Sequence, residues 1–297
     1  KLFIMHFLAT VDKGDEIIIP SPYWVSYPDM VLLVEGEPKV LECSLENNFK
    51  INPQDLEKII TNKTKWLILN SPSNPTGSMY TEQELMNISK ILSKHPHVWV
   101  LSDDLYEHII FDNLKFKNIL QADNSLKNRS LIVNGVSKAH AMTGWRLGYA
   151  GGPKELISQM NMVQSQSTTH TSSISQAAAI EALKNSKDFI EKNKKIFQER
   201  RDIVCSKLNE YDGFQVFNPQ GSFYVYVCCN DLMNKKKEDG NLINNDVELS
   251  DYYLDDAGVA VVPGEAFGLS NFFRISFATS ISLLEEGCNK IIESSKN

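Results

Sequence analysis

Residues 130–146 read Ser-Leu-Ile-Val-Asn-Gly-Val-Ser-Lys-Ala-His-Ala-Met-Thr-Gly-Trp-Arg, an apolar run followed by a lysine and then an arginine. The apolar run at 130–133 is typical of a short buried strand. Lys138 follows the end of this strand, and Arg146 comes eight residues later. An amine and a guanidinium so close to a strand end suit a lysine that forms a Schiff base beside a bound phosphate. The stretch therefore points to pyridoxal phosphate (PLP) as a cofactor.

Three further short apolar runs precede this stretch, at residues 16–20, 66–69 and 98–101. Continuous apolar runs of this length are typical of parallel strands that are covered on both faces. Between two of them, Thr81-Glu82-Gln83-Glu84 forms a capping box, which predicts the start of a helix. Alternation of strands and helices predicts an α/β fold in which helices sandwich a mostly parallel sheet.

The C-terminal third has a different pattern. A charged segment over about 187–209 predicts one long helix, which would connect two domains. Beyond it, residues 221–227 and 272–277 alternate like strands with one solvated face. We therefore expect a large domain over 1–190 and a smaller α+β domain over 191–297 that begins with the long helix.

Composition excludes several classes of protein. The chain has 297 residues, 42% of them apolar, and a net charge of −7 with both signs interspersed, which argues against a nucleic-acid binder. No run approaches the roughly 20 apolar residues of a membrane helix. The five cysteines form no CxxC pair, which favours buried free thiols in a reducing compartment over disulfides or a metal site. We expect a cytoplasmic protein with no metal, nucleic-acid or membrane partner. The polar segment 230–248 is expected to be a surface loop.

Polar side chains follow three of the predicted strands. In chain order these are Asn74, then Asp103 with Tyr106, then Ser137 with Lys138. In open α/β sheets, ligands bind beyond the carboxyl ends of the strands. We therefore expect these side chains to converge on one site.

Four motifs resemble those of the fold-type I, class I aminotransferases: Asn-Pro-Thr-Gly at 74–77, Ser-Asp-Asp-Leu-Tyr-Glu-His at 102–108, Ser-Lys-Ala-His-Ala-Met-Thr-Gly-Trp-Arg-Leu-Gly-Tyr at 137–149 and Phe-Arg-Ile-Ser at 273–276. Segments 22–28 and 164–168 are most similar to the bacterial aspartate/prephenate aminotransferases. The resemblance implies the fold-type I PLP-transferase architecture, PLP as cofactor and a homodimer. It also implies ping-pong transamination of L-aspartate with 2-oxoglutarate, with prephenate or glutamate as further small-molecule substrates.

The same resemblance implies roles for the residues around the cofactor ring. Lys138 forms the Schiff base and later moves a proton at the substrate Cα. Asp103 pairs with the pyridine nitrogen, while Asn74 and Tyr106 bind the phenolic oxygen. Trp24 stacks on the ring, and Trp24 and Asn74 also reach the substrate.

The resemblance also implies which residues bind the charged parts of the ligands. Arg146 would bind the cofactor phosphate together with the Ser137 hydroxyl, and Arg274 would bind the substrate α-carboxylate. Gly135 departs from a common family pattern, because a hydroxyl residue often stands three positions before the lysine. One phosphate contact is therefore open to question.

Several residues also have plainer interpretations. Lys138 could be a solvated lysine, Asp103 a helix N-cap, Trp24 simple core and Arg274 half of a buried ion pair. Asn-Pro-Thr-Gly could be no more than a turn.

Other functions also stay open at this point. The alternatives are a PLP-dependent C–S lyase on the same scaffold and an inactive truncated fragment. The truncated fragment is considered because the chain opens at Lys1 inside an apolar helical pattern. Family members carry a further N-terminal portion before this point, so that portion is expected to be missing.

Overall fold

The computed structural model describes residues 1–236, 240 and 242–296. Its helices are α1 (Leu2–Thr10), α2 (Ser26–Leu32), α3 (Pro53–Ile59), α4 (Glu82–Lys94), α5 (Ile119–Ala122), α6 (Lys154–Ser167), α7 (Ser173–Asn185), α8 (Lys187–Leu208), α9 (Asp246–Ala257) and α10 (Ile281–Lys296). Its strands are β1 (Glu16–Ser21), β2 (Glu37–Glu42), β3 (Thr64–Asn70), β4 (Trp99–Asp103), β5 (Ser130–Gly135), β6 (Gly148–Gly151), β7 (Gln215–Val216), β8 (Tyr224–Cys228), β9 (Val262–Pro263) and β10 (Phe272–Ser276).

The larger sheet has the strand order β2-β1-β3-β4-β5-β6, and each neighbouring pair is parallel except β5 with β6. Its four inner strands, β1, β3, β4 and β5, are buried on both faces, whereas the edge strands β2 and β6 are largely exposed. Along β3, Trp66 and Ile68 belong to one apolar cluster, and Leu67 and Leu69 belong to another on the opposite face. This two-sided burial explains the continuous apolar runs, and it confirms the predicted mostly parallel sheet between helices.

The start of α4 is the predicted capping box. The Thr81 hydroxyl accepts a hydrogen bond from the Glu84 amide at 3.3 Å, and the Glu84 carboxylate accepts one from the Thr81 amide at 2.7 Å. The pair satisfies backbone donors that a helix start leaves without intrahelical partners. Leu85 and Ile88 then bury one face of the helix against the large sheet.

The smaller sheet has the order β7-β8-β10-β9 with antiparallel neighbours. Helix α8 spans the segment predicted as one long helix, and it buries Val204 and Leu208 against this sheet. The predicted domain boundary near residue 190 stays a prediction. Helix α9 begins within the segment 230–248 that was predicted as a surface loop, and Leu232 and Ile243 of that segment are buried. Residues 237–239 and 241 of the same segment lie outside the described residues.

The prediction that β8 has one solvated face is wrong, since all five of its residues are buried. Val225 and Val227 face the core formed with the C-terminal helices. Tyr226 belongs to the opposite face, where its ring lies 5.5 Å from that of Phe49, a residue between β2 and α3. The large unit therefore covers the face that the alternating pattern assigned to water.

The five cysteines are free and buried, as the composition predicted. Cys43 follows β2 of the large sheet, and the others belong to the small unit: Cys205, Cys228, Cys229 and Cys288. Burial raises the pKa of Cys43 and of Cys205 to about 12. Within the described residues, no helix combines the length and the apolar character needed to cross a bilayer.

Candidate active site

A cavity of about 410 Å³ lies at the carboxyl ends of β3, β4 and β5. Among the residues that line it are five of those predicted from the sequence: Trp24, Asn74, Asp103, Tyr106 and Lys138. They come from the segment after β1 and from the loops or ends of the three central strands. Parallel strands bring these ends to one edge of the sheet, so side chains far apart in sequence meet there.

A second cavity of about 970 Å³ shares Trp24, Phe3 and Leu105 with the first, so the two adjoin. Ser137 and Arg146 line this second cavity. The Arg146 side chain is exposed, and its Nη1 donates to the Thr143 carbonyl at 2.9 Å. Its guanidinium therefore stands at the open side of the site.

Asp103 is buried and firmly held. Its Oδ2 accepts a hydrogen bond from the Tyr27 hydroxyl at 2.5 Å, and its Oδ1 accepts one from the Leu105 amide at 3.2 Å. Burial raises the pKa of Asp103 to about 6, whereas these two donors and the charge of Lys138 act in the opposite direction. The residues that follow form a turn, not a helix, so the N-cap alternative is wrong.

The neighbouring carboxylate, Asp104, turns to other partners. Ser102 donates to its Oδ1 at 2.6 Å, and the Asn118 amide donates to its Oδ2 at 2.8 Å. Burial raises its pKa to about 7, and these donors oppose the rise. Asp103 is thus the aspartate that lines the cavity.

The Lys138 amine lies beside two aromatic rings that contact each other. It is 5.5 Å from the centroid of Tyr106 and 5.4 Å from that of Phe223. Burial lowers its pKa, Asp103 opposes that effect, and the positive charges of Arg274 and Arg146 add to it. The geometry does not fit the alternative of a solvated surface lysine.

Asn74 is fixed by bonds on both sides of the site. Its backbone amide donates to Asn70 Oδ1 at 2.8 Å, and Asn70 Nδ2 donates to the Asp103 carbonyl at 3.0 Å. Its own Oδ1 accepts a hydrogen bond from Arg274 Nη1 at 2.9 Å. The loop therefore does more than turn the chain, because it connects the end of β4 to the small sheet.

The same loop is also fastened from the small unit by Gln220. The Gln220 backbone amide donates to the Gly77 carbonyl at 2.9 Å, and its side-chain Oε1 accepts from the Met79 amide at 3.0 Å. Gly77 has φ +69°, and a Cβ there would lie 2.4 Å from the Cβ of Pro219. The close approach therefore requires glycine at this position.

Arg274 lies on β10 and reaches across to Asn74. In the described part of the chain, no salt bridge joins its guanidinium to a carboxylate, so the alternative of a structural ion pair finds no support there. The fold thus brings together all eight of the residues predicted for the site. Sequence reasoning missed Tyr27, Asn70, Phe223 and Tyr224, whose partners lie far away in the chain.

Residues 2–291 match the family model described as aminotransferase class I and II. The chain belongs to this family. A probable aspartate/prephenate aminotransferase of Rickettsia felis is 53% identical over 285 residues, which cover 96% of this chain and 70% of that protein. An aspartate aminotransferase of Rhizobium meliloti is 49% identical, over 98% of this chain and 71% of its own length.

A crystal structure agrees with the same assignment. The aspartate aminotransferase from Rhizobium meliloti superposes with a TM-score of 0.96 at 48% identity, covering 99% of this chain and 74% of that one. The aminotransferase resemblance and the fold expected from it are therefore confirmed.

The local structure explains why this aminotransferase has glycine at position 135. A Cβ there would lie 3.0 Å from the Leu147 carbonyl and 3.2 Å from the Gly148 Cα. A residue with a side chain would therefore push β5 and β6 apart. The glycine that departs from the family pattern suits the tight pairing of these two strands.

Proposed function

We propose that this aminotransferase moves the amino group of L-aspartate to 2-oxoglutarate in a ping-pong reaction that depends on PLP. The observation that carries the proposal is the pairing, in one cavity, of a buried carboxylate at Asp103 with a poorly solvated amine at Lys138. The substrates follow the names of the relatives, one an aspartate aminotransferase and one a probable aspartate/prephenate aminotransferase. Prephenate is therefore a further candidate substrate, and glutamate is one that the family resemblance implies.

The residues of the two cavities fit PLP. The Lys138 amine would bind its aldehyde carbon, and the Asp103 carboxylate would hold a proton on its ring nitrogen. Trp24 would cover one face of the ring and exclude water, while Asn74 and Tyr106 would donate to the phenolic oxygen. When bound, PLP supplies a ring that accepts the electron pair released at the substrate Cα.

The phosphate would lie in the larger cavity, beside Arg146 and Ser137. A guanidinium holds phosphate through two parallel N–H donors, and a hydroxyl adds a third. The Arg146 guanidinium is free to turn towards a ligand, because its single described hydrogen bond is to a backbone carbonyl within its own turn.

Lys138 would also move the proton at the substrate Cα. A base must be unprotonated when it accepts a proton, and an exposed lysine has a pKa of about 10.4. Burial lowers the pKa of Lys138, and Arg274 and Arg146 lower it further. These effects favour the neutral amine, whereas the nearby Asp103 carboxylate favours the protonated form.

Arg274 would bind the substrate α-carboxylate. Two guanidinium N–H groups match the two oxygens of a carboxylate, which fixes the position of the Cα as well as the charge. Its hydrogen bond to Asn74 orients the fork towards the cavity that holds Lys138. The substrate Cα is thereby held within reach of the amine.

We propose a homodimer in the cytoplasm. Helix α7 buries only Ser175 and Ala179, and it leaves Ile174, Ile180 and Leu183 exposed. Ile180 and Leu183 lie three residues apart and so share one side of the helix, and exposed apolar neighbours of this kind are typical of a protein–protein interface. Sedimentation equilibrium would detect the dimer, and Ile180→Glu should weaken it. The buried free thiols suit a reducing compartment.

The direct test is covalent trapping. PLP-loaded protein is reduced with borohydride and digested, and the labelled peptide is expected to contain Lys138. Lys138→Ala should lose the yellow absorbance and transaminate several thousandfold more slowly, because a general base contributes about 10²–10⁴ in rate. Lys154→Ala, a surface lysine on α6, serves as the control. A label on another lysine, or wild-type rates in Lys138→Ala, would overturn the proposal.

A substrate panel separates the related activities. Aspartate, glutamate, phenylalanine and prephenate are compared as partners of the amino-group transfer. Pyruvate released from a cysteine conjugate without any oxo-acid acceptor would identify a C–S lyase instead. Failure to develop the cofactor absorbance with PLP would identify an inactive fragment.

A further inference from the structure

The guanidinium of Arg274 lies between two aromatic rings. Its Cζ is 4.3 Å from the centroid of Tyr224 and 4.9 Å from that of Phe267. Nη1 donates to Asn74 Oδ1, while Nε is buried and has no hydrogen-bond partner among the described residues. Both rings lie close to the group, and Nη2, which makes no hydrogen bond within the described part of the chain, remains available to a ligand.

A buried cation without a carboxylate partner is unstable unless something else stabilises its charge. The face of an aromatic ring attracts a cation, and the attraction grows when water is excluded. A carboxylate of the protein would occupy the N–H fork, whereas a ring stabilises the charge and leaves the fork free. Arg274 therefore has the surroundings expected of a cation that is kept charged for an incoming anion.

The small sheet explains how Tyr224 reaches this position. In the β8–β10 ladder, Tyr226 pairs with Arg274 and Ser276 pairs with Tyr224, so Tyr224 and Arg274 share one face. Side chains on one face at a diagonal position are within reach when they are long or aromatic. This is the face of β8 that the large unit covers.

The hydroxyl of Tyr224 fixes the ring from its other end. It lies 3.3 Å from the hydroxyl of Tyr106, and the two rings are 6.1 Å apart at 75°. Tyr106 lines the same cavity as Lys138. Tyr224 thus touches a residue on the cofactor side of the site with its hydroxyl, and Arg274 with its ring.

We propose that Tyr224 is a positioning residue that stabilises the Arg274 guanidinium with its ring and orients it for a substrate carboxylate. The inference rests on the proposed function, because it assumes that Arg274 binds the substrate. Burial lowers the pKa of Arg274, so its charge carries a desolvation cost, and the face of the Tyr224 ring 4.3 Å from Cζ offsets part of that cost. Loss of the ring should therefore weaken carboxylate binding more than it slows the chemical step.

The experiment compares Tyr224→Leu with Tyr224→Phe in PLP-loaded protein. The probe is maleate, an unreactive four-carbon dicarboxylate, and its dissociation constant is measured by calorimetry beside KM and kcat for aspartate. Tyr224→Leu should raise the maleate Kd and the aspartate KM roughly tenfold to thirtyfold, the loss expected for a desolvated cation–π contact, with a smaller fall in kcat. Tyr224→Phe keeps the ring and should stay within about threefold of the wild type.

A matched control and an isosteric variant keep the test decisive. Phe214→Leu removes a buried ring of the small-unit core that does not contact Arg274, and it should leave the maleate Kd unchanged. If Tyr224→Leu does not fold, pentafluorophenylalanine at position 224 replaces it. Its ring has nearly the shape of phenylalanine but reversed charge at its face, so maleate should bind as weakly as expected for the leucine variant.

The results separate the two proposals. Wild-type maleate affinity in folded Tyr224→Leu, or equal affinity for the phenylalanine and pentafluorophenylalanine forms, would overturn the role of Tyr224. Equal losses in Tyr224→Phe and Tyr224→Leu would also overturn it, because the hydroxyl would then be responsible. A wild-type protein that neither binds maleate nor transaminates would instead overturn the proposed function.

Discussion

The hydroxyl of Tyr27 donates a hydrogen bond to Asp103 Oδ2 across 2.5 Å, and both side chains are buried. Burial also holds the pKa of Tyr27 well above its ordinary value, so the hydroxyl stays a donor over the working pH range. Donation to a carboxylate favours its charged form. Tyr27 therefore helps to keep Asp103 negative in an apolar environment.

Tyr27→Phe should make PLP binding more sensitive to acid. Burial raises the pKa of Asp103 to about 6, and Tyr27 opposes that rise, so its removal should move the pKa higher by about one unit. A protonated Asp103 cannot pair with a protonated ring nitrogen, and PLP affinity should fall at a higher pH than in the wild type. Titration of the PLP dissociation constant between about pH 5 and about pH 9, a range of about four units that contains the carboxyl pKa, measures this.

Tyr23→Phe is the control for that change, since Tyr23 belongs to the same segment but does not bond to Asp103. Lys138 and Asp104 also face Asp103, and both are present in all three proteins. Identical pH profiles for Tyr27→Phe and the wild type would show that the hydroxyl does not tune the carboxylate.

Asp104 should make the apoprotein less stable as pH rises. Burial raises its pKa to about 7 from an ordinary value of 3.8, so the folded state binds the proton more tightly than the unfolded chain does. Its contribution to the free energy of unfolding is complete below about pH 4 and is lost as pH rises through about 7. Each unit of the pKa difference is worth about 1.4 kcal/mol. The free energy of unfolding, measured with urea at several pH values, should change less with pH in Asp104→Asn than in the wild type. An equal pH dependence in the two proteins would count against this account.

Gly77→Ala should disturb the loop that carries Asn74. The new Cβ would lie 2.4 Å from Pro219 Cβ and 2.6 Å from the Gly221 carbonyl, so the loop must move. Gly258→Ala is a matched control, because Gly258 has φ +64° but no atom of the described residues within 4 Å of a Cβ. Backbone strain alone should cost about 1–2 kcal/mol at Gly258, whereas Gly77→Ala should cost roughly 3 kcal/mol or more.

Aspartate KM in the two glycine variants tests the link to the site. It should rise in Gly77→Ala and stay unchanged in Gly258→Ala, since only the first displaces Asn74 from Arg274. If both variants lose the same free energy of unfolding in urea and have the same aspartate KM, the close contact with Pro219 has no consequence.

Arg201→Met should destabilise the junction between the two units. The Arg201 side chain is 3% exposed and donates to both oxygens of Asp112 at 2.6 and 2.8 Å, and to the Pro219 carbonyl at 3.1 Å. Asp112 is 45% exposed and water can replace part of the loss, so we expect about 2–3 kcal/mol by urea unfolding. Lys195→Met, an exposed position on the same helix, should stay within about 0.5 kcal/mol. A similarly small loss of stability in Arg201→Met and Lys195→Met would mean that the hydrogen bonds of the buried Arg201 guanidinium do not stabilise the fold.

The large sheet and most of its site could be predicted because the signals are local. An apolar run followed by a polar residue marks a strand end, and parallel strands bring those ends together. Lys138 and Asp103 are found in this way. Arg274 stood out because a charge within an apolar strand is costly unless it is paired.

The supporting residues could not be predicted, because their partners lie far away in sequence. Tyr27 is 76 positions from Asp103, and Tyr224 is 118 positions from Tyr106. Nothing near Tyr27 distinguishes it from any buried tyrosine. The covered face of β8 was missed for a related reason, since an alternating pattern shows that one face is more polar but not what lies against it.

The positions of the five thiols allow alkylation to report which unit of the protein unfolds first. Cys43 lies in the large unit and the other four lie in the small one. The thiolate is the nucleophile that attacks an alkylating reagent. These thiols are buried and burial raises their pKa, so alkylation of any of them first requires local or global unfolding. Mass spectrometry of briefly alkylated protein in mild urea would therefore tell whether the small unit loosens before the large one or both melt together.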